Sequence, residues 1–230
     1  MATRLRGLGI VLALMGIVFI AGGGYAVVKT QEGFTALNAL SAAQNVKLTY
    51  NDQGQLVDRG ETEGAAAIMS LLTDEWAYPV AAGDLNPNDP LVNTPTEYMY
   101  QMAVISYHTL HGTQTIVLPE DVTAADGTVY KAGTYEFAVD GRYWSGFDRT
   151  NPIEAAAREK AWTGTAHALI ANLGVGTATA TSLQLGLGIA GLFAGFGFFA
   201  LIAGLGLVWA VRAQEERVAK PALQHRPMPA

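Results

Sequence analysis

The chain has 230 residues, of which 50% are hydrophobic, a net charge of -6 and no cysteine. The lack of cysteine excludes a disulfide framework, a thiolate metal site and a thiol nucleophile. Once two long apolar segments are set aside, the remaining length suits one domain of ordinary size with a single compact core.

Charge is distributed unevenly along the chain. Residues 29–180 carry 18 acidic and 8 basic side chains, about -10, whereas the two ends together carry 6 basic and 2 acidic ones, about +4. An acidic middle segment argues against nucleic-acid binding, which needs basic surface to neutralise phosphates. It is typical of a soluble, exposed domain.

The first predicted element is a membrane span. Arg4 and Arg6 precede residues 7–28, which contain no charge, and a span needs about 20 apolar residues. Tyr25 suits an anchor at the membrane interface. A cleaved secretory signal peptide is the alternative, because it has the same basic start, but its apolar core usually has only about 7 to 15 residues.

Residues 30–44 carry apolar side chains at spacings of three, so we expect the first span to continue as an amphipathic helix. The alternating pattern of residues 46–50 predicts a short strand. Residues 51–54, with the sequence Asn-Asp-Gln-Gly, are typical of a turn.

Two more helices are predicted in the first half of the middle segment. Residues 61–72 indicate a short helix with Thr62 as a possible N-cap. A proline-rich loop over residues 78–95 ends in a capping box, Thr-Pro-Thr-Glu at residues 94–97. A helix should therefore follow over residues 95–111.

The second half of the middle segment begins with three short β-rich runs, residues 116–118, 128–130 and 134–139. Gly-containing pairs separate them, which predicts a small antiparallel sheet or hairpin. Residues 142–152 form an aromatic and polar loop. From Pro152 a helical pattern leads towards the second apolar segment.

Residues 183–211 contain no charge and end just before Arg212, which predicts the second membrane span. Gly188, Gly191 and Gly195 recur at spacings of three and four. Such a small-residue stripe lets another helix approach closely, so we expect it to be a helix-packing face. The other glycines of this span add nothing to that prediction: Gly186, Gly197, Gly204 and Gly206.

The positive-inside rule then sets the topology. Residues 1–6 and a short, disordered tail of residues 212–230 should be cytoplasmic, and residues 29–180 should be extracytoplasmic. The expected fold class is membrane α+β: two transmembrane helices, residues 7–28 and 181–211, flank a mixed extracytoplasmic domain with a small antiparallel sheet.

His108 and His111 are the candidate metal ligands. They stand three residues apart on the helix predicted over residues 95–111, close enough to reach one metal ion. A metal site needs at least one further ligand, which His167, Glu97 or a loop aspartate would have to supply. The alternative is a pair of histidines at a helix end, satisfied by hydrogen bonds.

No motif identifies a reaction. The sequence has no G-x-S-x-G elbow, no P-loop and no H-E-x-x-H. The 18 acidic residues of the middle segment are too many to single out a pair for acid–base catalysis. We therefore expect a protein that is not an enzyme, with no catalytic residue and no cofactor.

An aromatic cluster in the loop has two interpretations. Tyr143, Trp144 and Phe147 lie near Arg142 and Arg149, and aromatic residues with arginine are enriched at binding hot spots. The favoured alternative is that these rings complete the core and the arginines pair with neighbouring acids.

The layout resembles a group of actinobacterial two-span membrane proteins with an extracytoplasmic domain. The resemblance lies in residues 105–108 (Ile-Ser-Tyr-His), residues 133–135 (Gly-Thr-Tyr), Arg142, and the segment 155–176 that leads into a Gly-rich final span. Members are often labelled aromatic ring-opening dioxygenases, a label that this sequence does not support. The loop over residues 74–95 is an elaboration on the shared layout.

Three functions follow as hypotheses. The first is a non-enzymatic accessory or assembly subunit of a larger cell-envelope complex. Its expected partners are membrane lipid and, through the Gly-rich span, other membrane proteins or a second copy. Nucleic acid is not an expected partner. The second is an extracytoplasmic ligand- or metal-binding membrane protein. The third, an enzyme, would need a pocket with converging polar groups.

Overall fold

The structure is a computed structural model that describes the backbone of residues 2–224 and the side chains as far as Arg217. The chain divides into two compact units. The helix-pair unit comprises residues 2–36 and 182–224, and the central unit is Leu37–Thr181. The helices and strands are, in chain order, α1 (Ala2–Gln44), α2 (Thr62–Ser70), α3 (Pro95–Leu110), β1 (Thr113–Leu118), β2 (Val122–Thr123), β3 (Val129–Tyr130), β4 (Gly133–Ala138), α4 (Pro152–Ala161) and α5 (Gly164–Gln224).

The helices α1 and α5 are both long and apolar enough to cross a membrane. Only 11% of the residues in the most apolar window of each helix are buried. The predicted helical continuation of the first apolar segment through residues 30–44 is confirmed, because α1 runs without a break to Gln44. The prediction of a disordered tail is wrong as far as Gln224, where α5 ends, and residues 225–230 lie outside the described part.

The segment after α1 differs in part from the prediction. Asn45 has a φ of 51°, and its N–H donates to the Ser41 carbonyl over 2.8 Å, which ends the helix. The strand predicted over residues 46–50 forms only isolated bridges, because it pairs with two different loops. The turn over residues 51–54 is confirmed by a 2.9 Å hydrogen bond from Gly54 to the Asn51 carbonyl.

The second helix begins at Thr62, the residue that was expected to be its cap. Glu61, not Thr62, is the N-cap of α2, and its side chain makes no capping hydrogen bond. Glu61 is held in an extended conformation by two backbone hydrogen bonds with Asp58, of 2.9 and 3.0 Å, so the helix can start only after it. Beyond Ser70 the chain continues as a π-helical turn over Leu71–Glu75.

The predicted capping box is confirmed at the start of α3. The Thr94 hydroxyl accepts from the Glu97 N–H over 3.3 Å, and Glu97 Oε2 accepts from the Thr94 N–H over 2.9 Å. Pro95 occupies the first turn, and His111 is the C-cap. Local capping chemistry therefore sets the start of this helix.

The small antiparallel sheet is present as two nested hairpins. In the outer one, β1 pairs with β4 from Thr113 opposite Ala138 to Leu118 opposite Gly133. The inner one pairs β2 with β3 around a turn in which Asp126 Oδ1 accepts from the Thr128 N–H over 2.9 Å. β2 has no counterpart in the prediction.

The helical pattern from Pro152 does not form one helix. α4 begins with the Asn151 side chain accepting from the N–H groups of Ile153 and Glu154, and it ends at Trp162, whose φ and ψ are -97° and 63°. The Trp162 indole is buried and donates to the Arg142 carbonyl over 3.0 Å. That long-range anchor outweighs the helical preference of the local sequence, and α5 starts afresh after Thr163.

The core of the central unit lies where α2 meets α3 and where α4 packs on β1 and β4. Fully buried apolar side chains there come from helices, a strand and a loop, and they include Ile68, Leu72, Ala103, Ile116, Val139 and Ala157.

Candidate functional site

The two candidate metal ligands make separate hydrogen bonds. His108 Nε2 lies 2.9 Å from Asp58 Oδ1, in a partly buried pair. His111 Nδ1 lies 2.9 Å from the Tyr107 carbonyl oxygen, and its ring stacks on the Tyr107 ring with centroids 4.2 Å apart. Within residues 2–217, no three His, Asp or Glu side chains converge on a point where a metal ion could bind. Metal binding at these histidines stays a prediction.

Two tyrosine hydroxyls lie buried in the same unit without a hydrogen-bond partner in the described part of the chain, those of Tyr50 and Tyr100. Burial, followed by the Asp58 carboxylate and the Tyr50 phenol, raises the pKa of Tyr100. Burial, followed by the Glu97 carboxylate, raises the pKa of Tyr50. Because both phenols stay protonated near neutral pH, neither is suited to act as a general base.

The aromatic loop contributes partly to the core and partly to the surface. Phe147 is buried, whereas Tyr143 is 42% exposed. The Tyr143 hydroxyl accepts from the Trp76 indole over 2.9 Å, and the Tyr143 ring stacks on Trp162 with centroids 5.7 Å apart. Trp144 packs edge-on against His167, with centroids 5.1 Å apart. These rings contact one another, so each is held by the others.

The arginines of this loop do not form the expected ion pairs among the described residues. Arg142 donates to the Ala138 carbonyl over 3.3 Å and lies over the Phe137 ring, 5.2 Å from its centroid. The cation on Trp144 is instead Arg158, 4.1 Å from the ring centroid. It comes from α4, which the sequence pattern did not connect with this loop.

In the helix-pair unit, glycines bring α1 and α5 into close contact. A Cβ placed on Gly16 would lie 2.6 Å from the Gly197 carbonyl oxygen and 2.6 Å from the Leu201 nitrogen. On Gly9 it would lie 2.7 Å from the Gly204 carbonyl oxygen. Because these contacts are with backbone atoms, a side chain at either position would force the helices apart.

These contacts follow a seven-residue repeat on both helices. Gly9, Gly16 and Gly23 meet, in antiparallel order, Gly204, Gly197 and Ala190. A seven-residue repeat keeps one face of a helix turned towards its neighbour when the two helices supercoil. We call these six residues the glycine seam. The seven-residue spacing of Gly197 and Gly204, taken together with that of the glycines in α1, is the sequence signal for this seam.

The three glycines singled out from the sequence lie elsewhere on α5. A Cβ on Gly188, Gly191 or Gly195 would meet no atom within 4 Å in the described part of the chain. They form the floor of a shallow groove of about 630 Å³. Large side chains also line it: Leu192, Phe196 and Phe199. We call this the α5 groove; whether another helix packs there stays a prediction.

The central unit contains a second cavity, formed where the end of α1, the middle of α3 and the start of α5 meet. Its volume is about 540 Å³. Among the described residues that line the cavity, Tyr98 is the only titratable one. The others are carboxamides and aliphatic side chains: Gln44, Val46, Gln101, Ile105, Leu169, Asn172 and Leu173. We call it the amide cleft. Nothing in the sequence pattern pointed to it, because its residues come from three distant segments.

Tyr98 holds the three segments of the amide cleft together. Its hydroxyl lies 2.7 Å from Ser41 Oγ on α1, in a buried hydrogen bond. Its ring packs against Gly176 of α5, where a Cβ would lie 2.6 Å from Tyr98 Cε1. Glycine is therefore required at this point for α5 to pass so close to α3.

Comparisons of this chain with protein-family models, with curated proteins and with solved structures find no match.

Proposed function

We propose that the chain is a non-enzymatic, two-span integral membrane protein that serves as an accessory or assembly subunit of a larger cell-envelope complex. The observation that carries the proposal is the α5 groove, where a Cβ added to Gly188, Gly191 or Gly195 would meet open space within the described chain. Its occupant in this proposal is a transmembrane helix of another membrane protein.

The energetics of glycine support this occupant. A glycine in a helix interior is about 1 kcal/mol less favourable than alanine. In the glycine seam, close packing of α1 on α5 offsets that cost. On the free face, a packed partner helix would supply the same compensation, whereas a fluid lipid chain gains nothing from the missing side chain.

The groove sets small residues beside large exposed rings, since Phe196 and Phe199 are 65% and 72% exposed. In a twofold pair the rings of one copy could lie on the glycines of the other, so the crosslinking experiment below has to separate a second copy from a different protein. A partner helix with large side chains would also fill the floor between these rings.

The charge distribution supports the topology. In this proposal the central unit, Leu37–Thr181, lies outside the cytoplasmic membrane and both termini lie in the cytoplasm, because the ends are basic and the middle is acidic. Trp209, 73% exposed near the end of the second span, suits the interface of the bilayer.

Photocrosslinking in native membranes tests the proposal. A benzophenone amino acid at Phe196 should form an adduct with one other membrane protein, and Gly191→Ile with Gly195→Ile should abolish that adduct. Gly206→Ile is the matched control, because Gly206 is an exposed glycine of the same helix with no atom within 4 Å of its Cβ position. The amount of the captured protein in the membrane should also fall when this chain is deleted.

Two results would contradict the proposal. One is an adduct that contains only lipid or a second copy of the chain. The other is an adduct that the groove variants and the control affect equally.

The extracytoplasmic metal-binding alternative rests on His108 and His111, which make separate hydrogen bonds. It needs a third ligand that would have to come from a partner or from solvent.

A further inference from the structure

The amide cleft has the size and lining of a small-molecule site. Its volume of about 540 Å³ falls within the range of roughly 300 to 1,000 Å³ that is usual for ligand sites. Such sites combine mostly apolar walls with a few polar groups that orient the ligand. The cleft lies wholly within the central unit, so it is independent of the α5 groove and of the function proposed above.

Three carboxamides line the cleft, those of Gln44, Gln101 and Asn172. Gln44 and Asn172 are exposed and Gln101 is half-buried, and none of their side chains forms a hydrogen bond within the described part of the chain. A carboxamide both donates and accepts, so the three together match a polar group that does the same, such as an amide, an ester with a hydroxyl, or a glycerol.

The lining also selects against charge. Among the described residues, no Lys, Arg, Asp, Glu or His lines the cleft. A carboxylate or ammonium group entering it would lose hydration without gaining a counter-charge, which is unfavourable in a partly enclosed site. The Tyr98 hydroxyl, already bonded to Ser41, offers at most one more hydrogen bond.

The apolar lining residues offer a wall for a hydrocarbon chain. Leu169 and Leu173 are one turn apart on α5, and Ile105 and Val46 come from α3 and from the segment after α1. Leu169 is 47% exposed. A chain lying along this wall would cover apolar surface that the protein leaves open to solvent.

We infer that the amide cleft binds an uncharged amphiphile: its polar head, rich in hydroxyl, ester or amide groups, bonds to Gln44, Gln101 and Asn172, and its acyl chain lies against Val46, Ile105, Leu169 and Leu173. The close contact of Tyr98 with Gly176 holds α3 and α5 at the separation that this ligand needs. An apolar helix of a partner protein is the competing occupant, which the experiment distinguishes.

The test uses the full-length chain in lipid nanodiscs and two photoreactive probes with the same diazirine-labelled decanoyl chain, a monoacylglycerol and the free carboxylate. Labelling of peptides that line the cleft is measured by mass spectrometry and divided by the labelling of the transmembrane part of α5. This ratio corrects for the different partitioning of the probes into lipid. The monoacylglycerol should label the cleft at least fivefold more than the carboxylate at neutral pH.

Two substitutions sharpen the test. Leu169→Trp should fill the cleft and abolish its labelling, whereas the matched Val175→Trp, at an exposed position of α5 that does not line the cleft, should not. Thermal unfolding of both variants checks that they fold. Gln101→Lys should place a cation in the cleft and raise labelling by the carboxylate at least threefold, because the charge then has a partner.

Several outcomes would overturn the inference. Equal labelling of the cleft by both probes would remove the selection for a neutral head group. Equal loss or equal retention of labelling in Leu169→Trp and Val175→Trp would show that the probe does not occupy the cleft. Absence of labelling in nanodiscs, combined with crosslinks from Leu169 to another protein in native membranes, would assign the cleft to a partner helix instead.

Discussion

Glu97 is a buried carboxylate with a purely local set of partners. Its Oε2 accepts from the N–H of Asn93 over 3.0 Å, from the N–H of Thr94 over 2.9 Å and from the Thr94 hydroxyl over 2.9 Å. The side chain is only 1% exposed. Burial raises the pKa of Glu97 more strongly than these hydrogen bonds lower it. Ionisation of Glu97 is therefore unfavourable in the folded chain, although the hydrogen bonds of this helix cap are satisfied.

The raised pKa predicts how stability depends on pH. As pH rises above the ordinary glutamate pKa, the unfolded chain releases the Glu97 proton before the folded chain does, so the free energy of unfolding falls until the folded group also ionises. Glu97→Gln keeps an acceptor oxygen without the charge, and it should remove this fall. Thermal unfolding of the full chain from pH 4 to pH 8 measures it.

Two further variants serve as references for this prediction. Glu97→Ala leaves the donors at Asn93 and Thr94 without their acceptor, and it should lose about 1–3 kcal/mol at every pH. Glu63→Gln, at an exposed position in the first turn of α2, should change little. A Glu97→Gln variant whose stability follows the wild-type pH profile would refute the assignment.

At the scale of elements, the glycine seam decides how the two long helices pack. A methyl group on Gly16 would lie 2.6 Å from two backbone atoms of α5, which cannot rotate away. Gly16→Ala should therefore separate the helices locally and destabilise the pair by about 1–3 kcal/mol, as overpacking does elsewhere. The measurement is thermal unfolding in detergent.

Gly22→Ala is the matched control for the seam. Gly22 is also in α1, but its Cβ position has no atom within 4 Å. Alanine is favoured over glycine in a helix by about 1 kcal/mol, so this variant should be as stable as the wild type or more stable. Equal destabilisation by both substitutions would argue against a tight seam.

At the scale of the whole molecule, the topology can be tested directly because the chain has no native cysteine. Single cysteines at Asn88, in an exposed loop of the central unit, and at Gln214, beyond the second span, are each unique labelling sites. A membrane-impermeant maleimide on intact cells should label Asn88→Cys and spare Gln214→Cys until the membrane is opened. This pattern is expected because, in the proposed topology, the basic ends stay in the cytoplasm.

The reverse pattern of labelling would invert the proposed topology. A mature chain that begins beyond Tyr25 would establish the signal-peptide alternative and leave one span. Only cleavage would remove the α1 side of the glycine seam, because an inverted chain keeps both helices in the membrane. The position of the mature N-terminus therefore bears on the helix pair as well as on the orientation.

Features that depend on neighbouring residues were predictable from the sequence. The two long apolar helices, the capping box at Thr94 to Glu97 and the antiparallel pairing of the β-rich runs follow from hydropathy, from hydrogen bonds over three or four residues and from turn chemistry. The tertiary structure decided the rest. Trp162 breaks a helical pattern because its indole is anchored on a residue 20 positions earlier.

The seam and the cleft show the same division. The sequence displays many glycines in each apolar segment, but only the packing of α1 on α5 distinguishes the glycines that meet backbone atoms, such as Gly16, from those that meet nothing, such as Gly191. The amide cleft has no pattern of its own, since it joins Gln44, Gln101 and Asn172 across the fold. Caps, turns and apolar segments depend on residues that are adjacent in the sequence, so they can be predicted from it. Sites built from distant segments form only when the chain folds.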